Sequence, residues 1–232
     1  MSARTAGAAA AAAPAPRPAA AGTLSRALSR VLLAAFALAV AVDLGSLLAG
    51  AELGHRIAKP LLMPLLAAYA ATRGAPKLLL GALLLGWGGD VLLLGDADWA
   101  FLVGMGSFAA GHVCYLALFG RRPASVPLGI AYAAALLGTV VLLWPDLPAG
   151  LRIPVTGYSL LLAAMAYRSG SLGLTAGAGG ALFLLSDTLI ATGWWSQLPA
   201  PAVWVMATYI AAQYLLTAGV LTQAYGERST AD

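Results

Sequence analysis

The sequence predicts an all-α polytopic membrane protein of eight transmembrane helices, with both termini in the cytoplasm. Three observations carry that expectation. With 61% hydrophobic and 9% charged residues and a mean hydropathy of +0.86 over 232 residues, the chain has too little polar surface to cover a water-soluble globule. Eight apolar segments, 29–50, 57–72, 77–94, 99–119, 126–144, 153–168, 172–193 and 201–223, approach or reach the roughly 20 residues needed to span a bilayer. Basic residues also favour one side of those segments. A cytoplasmic N-terminus puts Arg4, Arg17, Arg26, Arg30, Arg73, Lys77, Arg121, Arg122, Arg168 and Arg228 inside and only Arg56, Lys59 and Arg152 outside. Ten against three is the positive-inside pattern. The net charge of +4 then reflects topology, and no nucleic-acid-binding surface is expected.

Residues 1–28 are expected to form a disordered cytoplasmic tail, because their first part, MSARTAGAAAAAAPAPRPAAAG, is Ala/Pro low complexity without core-forming side chains. Segment 29–50 runs past Asp43 and is long enough to span, which argues against a cleavable signal. In segment 57–72, Pro60 suits a helix start but Pro64 does not, so this helix is expected to be interrupted. The breaks TRGAP (72–76), GDAD (95–98) and GRRPAS (120–125) are tight turns that make sequential helices antiparallel neighbours. Glu52, Asp96, Asp98 and Asp146 are expected in outer loops, and His55 in a solvated outer turn. Segment 126–144 has no acidic counterpart to Asp43. Segment 153–168, with Pro154 and Gly157, is expected to be the second interrupted helix. Segments 172–193 and 201–223 complete one transmembrane domain, 29–223, and 224–232 form a short cytoplasmic tail. Trp87, Trp99, Trp144, Trp194, Trp195 and Trp204 cluster towards outer helix ends, as an interfacial belt would. Cys114 is alone, which excludes a disulfide framework. GWGGD and GAGG lack the strand-turn-helix setting of phosphate loops.

The two halves, 29–119 and 126–223, resemble each other. RIAKPLLMPLLAAYAATRG (56–74) aligns with RIPVTGYSLLLAAMAYRSG (152–170), LLLGWGGDVLLL (83–94) with GALFLLSDTLIA (180–191), and FAAGHVCYL (108–116) with YIAAQYLLT (209–217). Asp90 thereby stands opposite Asp187, and His112 opposite Gln213. Four helices per half would relate the repeats by a pseudo-twofold axis along the membrane normal, and interrupted helices at matching positions point to a binding site there.

Three carboxylates lie within spans: Asp43, Asp90 and Asp187. Each costs about 2.5–3.5 kcal/mol at a helix centre and needs a partner, a proton or a cavity. In the assigned topology all three lie in the outer halves of outward-running helices, level with Lys59 and Tyr158. That set is the strongest chemical signal in the sequence. The bland alternative is an ion pair, such as Lys59 with one aspartate, that only clips helices together. His112 lies among small residues suited to close helix packing. It lacks metal-ligand spacing, so no metal is expected. Tyr209 and Gln213, four apart, share a helix face.

KPLLMPLL (59–66), the run ending in Gly89-Asp90, FxxGHxxY (108–115), YSLLLAAMAYR (158–168), GALFLLSD (180–187) and TYxxAQYLL (208–216) resemble the YhhN-like lysoplasmalogenase family across nearly all of 30–223. The resemblance implies a multi-pass protein of a bacterial cytoplasmic membrane that hydrolyses the vinyl ether of a lysophospholipid to a fatty aldehyde and a glycerophospho-alcohol. Its partners would be that lipid and the surrounding membrane lipids, and no cofactor is implied. Position by position it implicates Lys59, Asp90, His112, Tyr115, Tyr158, Asp187, Tyr209 and Gln213.

The residues suit that chemistry. Vinyl ether cleavage begins with protonation of the β-carbon, which requires a carboxylic acid still neutral near pH 7, and a carboxyl withdrawn from water favours its neutral form. Two carboxyls in one cleft divide into one acid and one base. Asp90 and Asp187 are the expected dyad, with the roles open. Lys59, aided by Arg56, would meet the lipid phosphate, and Asp43 is a possible auxiliary. The same features also describe a proton-coupled carrier in which Asp90 and Asp187 relay protons, or a lipid-binding scaffold without turnover.

Overall fold

The computed structural model describes residues 19–95, 97–195 and 201–229. They form eight α-helices in chain order: α1 (Ala19–Leu48), α2 (Glu52–Thr72), α3 (Lys77–Leu92), α4 (Asp98–Phe119), α5 (Val126–Leu143), α6 (Arg152–Ser169), α7 (Leu174–Trp195) and α8 (Ala202–Ser229). Single 3-10 turns flank α6. Every expected segment is a helix. Six helices, all but α2 and α3, are long and apolar enough to cross a bilayer, and the chain is an integral multi-pass membrane protein. At 16 residues α3 rises only about 24 Å, while α2 carries Glu52, Arg56 and Lys59 in its first half.

Some expectations need revision. Helix α2 starts at Glu52 and runs unbroken through Pro60 and Pro64, so it is not interrupted. Pro64 has no N–H for the carbonyl of Pro60, four residues back. Trp87 on α3 supplies the missing donor, its indole N–H reaching Pro60 O at 2.9 Å. Thus Trp87 does more than belong to an interfacial belt. Helix α6 is likewise continuous, with Pro154 in its first turn, where a missing N–H costs nothing. Glu52 and Asp98 sit in the first turns of α2 and α4, not in loops; an acid there meets the positive end of the helix dipole. Helix α1 begins inside the stretch read as a tail and α8 reaches past residue 223. Residues 1–18, the side chains of Trp194 and Trp195, and Asp96 lie outside what the structure describes.

Small residues set the helix spacing, as they do where lipid removes the hydrophobic drive between helices. A Cβ on Gly179 would come within 2.9 Å of the Ala212 carbonyl, and one on Gly180 within 2.9 Å of Ala166 backbone, so α7 lies against both α6 and α8 at backbone distance. Gly111 approaches the Ala82 carbonyl in the same way, joining α3 to α4. The main core, with Leu62, Leu66, Leu83, Phe119, Phe183 and Leu216 among its members, runs through every helix except α5. Helix α5 buries only Leu143 and lies at the edge. Gly219→Ala tests the close-contact argument, since its Cβ would fall 2.7 Å from that of Ala176. A loss of about 1–3 kcal/mol is expected, read as a lowered midpoint in thermal unfolding of the detergent-solubilised protein.

The bundle has two chemically distinct ends. At one, Thr72 bonds Ser29, Arg73 bonds Tyr225, and Arg168 bonds the Gly120 carbonyl. At the other, the C-terminal half of α1 meets the start of α2, and the aspartates gather.

Candidate active site

Lys59, Tyr158, Asp187 and Tyr209 each lie six to eight residues from the same end of the bundle, about 9–12 Å deep at 1.5 Å per residue. Alternating helix direction brings α2, α6, α7 and α8 to that level, and α3 adds Asp90 near its own end. These five residues line one cavity of about 110 Å³, enough for a few waters. Its remaining walls are mostly apolar and include Met105, Phe108, Leu162 and Met206.

Two hydrogen-bond relays end on the two carboxyls. In the first, Tyr115 donates to Gln213 Oε1 at 2.7 Å. Gln213 Nε2 donates to the Tyr209 hydroxyl at 3.3 Å. Tyr209 donates to Asp90 Oδ2 at 2.7 Å. The second runs from His112 Nε2, 3.2 Å from the Tyr158 hydroxyl, to Asp187 Oδ2, which Tyr158 bonds. Because the Tyr158 proton is spent on Asp187, its oxygen accepts from His112. That assigns the Nε2–H tautomer and leaves Nδ1 as the buried acceptor without a partner. Phe183 packs edge-on against both relays, with ring centroids 4.8 Å from His112 and 5.5 Å from Tyr209, and so stands between them.

The carboxyls differ in one respect. Lys59 Nζ lies 3.9 Å from Asp90 Oδ1, whereas no lysine or arginine among the described residues lies within ion-pair distance of Asp187. Lys59 therefore turns into the cavity rather than standing free at the interface. Asp90 is almost fully buried and Asp187 half-buried. Glycines make room for this arrangement: a Cβ on Gly86 would meet Gln213 Nε2 at 3.1 Å and the Tyr209 hydroxyl at 3.4 Å, and one on Gly89 would overlap Phe108.

Asp43 and Arg56 lie apart from the relays. Asp43 is fully buried and its Oδ1 is 2.8 Å from His55 Nδ1, so His55 is a partner of α1 and not a solvated turn residue. Arg56 is exposed and pairs with Glu52 at 2.9 Å. Sequence reasoning missed the Asp43–His55 pair, although a lone buried acid twelve residues before a histidine, with a turn between, carries that signal. It also missed the contributions of Phe108 and Phe183, which a Leu/Ala-rich sequence does not set apart from core. Among the described residues no cluster of three metal-ligating side chains occurs.

A sequence model of the YhhN family matches residues 54–220. The chain is 39% identical over 160 residues to the lysoplasmalogenase TMEM86B of Sus scrofa, covering 68% of this chain and 70% of that protein. It is 37% identical to the human protein of the same name over 64% of this chain and 65% of the relative. To the lysoplasmalogenase of Mycobacterium bovis it is 31% identical over 73% of each. No solved structure matches.

Proposed function

The chain belongs to the YhhN family, and on that premise we propose that it is a membrane-embedded hydrolase that cleaves the vinyl ether of a lysoplasmalogen with Asp187 as general acid and Asp90 as general base. One observation carries the reading: both intramembrane carboxyls face a single cavity, each receives a tyrosine hydroxyl, and only Asp90 has an ammonium beside it. Asp90, with a cation beside it, suits the role of base, and Asp187, with none beside it among the described residues, suits the role of proton donor.

The reaction then balances. Asp187 transfers its proton to the β-carbon of the alkenyl chain, leaving an oxocarbenium ion. Water adds to the α-carbon and gives a proton to Asp90, forming a hemiacetal. In the collapse the hemiacetal hydroxyl returns a proton to Asp187, Asp90 protonates the departing glycerol oxygen, and the aldehyde leaves. Tyr158 holds one oxygen of Asp187 and leaves the other for the substrate carbon, while Tyr209 holds Oδ2 of Asp90 and leaves Oδ1 facing Lys59 and the attacking water. The oxocarbenium ion forms between two groups that are then both negative, which stabilises it electrostatically. The close-packed core beyond the cavity, filled by Tyr115, Phe119 and Phe183, favours a dead-end site over a transport path. All eight helices crossing the bilayer, with both termini on the arginine-rich cytoplasmic side, is part of this proposal.

Purified protein given a lysoplasmalogen is expected to release aldehyde. In D₂O, with immediate borohydride trapping, the product alcohol should carry one deuterium at the carbon next to the former carbonyl. Aldehyde without that deuterium would rule out carbon protonation. Proton-dependent flux in proteoliposomes without lipid cleavage would favour a carrier.

A further inference from the structure

We propose that the hydrocarbon chain of the substrate occupies a groove between α5 and α7 that opens sideways to the bilayer, so that the lipid reaches the aspartates from within the membrane; this rests on the hydrolase reading above. Ala131, Ala135 and Gly138 of α5 and Ala181 and Leu185 of α7 line an apolar groove of about 570 Å³. Three residues, Thr139, Leu184 and Thr188, line both this groove and the aspartate cavity. The two spaces therefore adjoin at these three side chains, whose only polar groups are two threonine hydroxyls. No charged residue lines the groove.

The groove follows from how α5 is seated. Gly129 lets α5 approach the Tyr167 ring, and Leu128 lies against Gly170, so α5 is seated more closely on α6 than on α7. Small residues then face the gap: a Cβ on Gly138 would meet nothing within 4 Å. From Leu128 to Leu142 the α5 wall rises about 21 Å, the reach of a long alkyl chain. It descends from the level of the aspartates towards the arginine-rich end. A lysophospholipid lying in it keeps its headgroup near Lys59 and the bundle end, its ether at the carboxyls and its chain at membrane depth, matching each part of the lipid to the polarity it prefers. The groove wall also becomes a determinant of chain length.

A non-cleavable 1-O-alkyl lysophospholipid with a mid-chain diazirine tests this on the full chain in phosphatidylcholine nanodiscs. Photolabel that excess lysoplasmalogen competes away is expected in 128–142 and 181–188. Gly138→Trp, or Ala135→Phe should the first variant misfold, is expected to cut that competable label at least tenfold and to lower the ratio of long-chain to short-chain kcat/KM by a similar factor. Leu137→Trp, on the opposite, exposed face of α5, should change neither. Competable label elsewhere, or groove label that is not competed and so reports bulk membrane lipid only, would overturn the proposal. Labelling does not need turnover: groove label without cleavage would refute the hydrolase reading alone, and cleavage with label elsewhere the groove alone.

Discussion

Asp187→Asn is expected to lower aldehyde release from a lysoplasmalogen by about 10²–10⁴-fold, the usual weight of a general acid. Asparagine keeps the shape and still accepts from Tyr158, so the fold should persist and the loss should fall on kcat. The reason is chemical: protonating an alkene carbon needs an acid held against it, and water in a cavity of about 110 Å³ offers no comparable donor. Tyr158→Phe should cost less, since the acid survives and only its orientation and the His112 relay are disturbed. Full turnover by Asp187→Asn would end the two-aspartate mechanism, whatever Tyr158→Phe did.

The two relays can be set against the internal repeat proposed from the sequence. Under the proposed alignment Asp90 on α3 matches Asp187 on α7, and Gln213 on α8 matches His112 on α4. Gln213 serves the relay of Asp90, while His112 serves that of Asp187. Each relay thus crosses between the two halves, as a twofold along the membrane normal would arrange. The match is not complete: Tyr209 aligns with Phe108, and the tyrosine on Asp187 comes from α6, where it aligns with Leu62. Differing partners are what a duplicated site needs if one carboxyl is to be an acid and the other a base.

Much of this was legible in the chain because intramembrane polar residues are few and costly. Lys59, Asp90, Tyr158 and Asp187 stood out by chemical type and depth and line one cavity with Tyr209, whereas Asp43, which stood out in the same way, pairs with His55 outside it. His112, Tyr115 and Gln213 lie behind it in the relays. Helix faces were not legible. A helix apolar all round has no polar stripe to say which side meets protein and which meets lipid, so nothing in 126–144 announced that α5 would stand at the edge beside a groove. Prolines misled for a related reason. Their cost is a lost donor, and whether another helix supplies one, as Trp87 does for Pro60, depends on a contact made only in the fold.

The Lys59–Asp90 pair separates catalysis from clipping. If the pair only joins α2 to α3, then Lys59→Met and Asp90→Asn should each destabilise, and the double variant, with neither charge left unmatched, should recover stability and turnover together. Charge pairs behave so in cycles where the penalty is an orphaned ion. If Asp90 is the base and Lys59 the cation that keeps it ionised, stability is expected to recover in the double variant while turnover stays down by about 10²-fold or more. Added formate, an exogenous carboxylate, should then restore part of the activity of Asp90→Asn and none of that of Asp187→Asn, because only the former lacks a base. Thermal midpoints and aldehyde release measured on the same four preparations decide it: a double variant restored in both would reduce the pair to a structural clip and remove Asp90 from the mechanism.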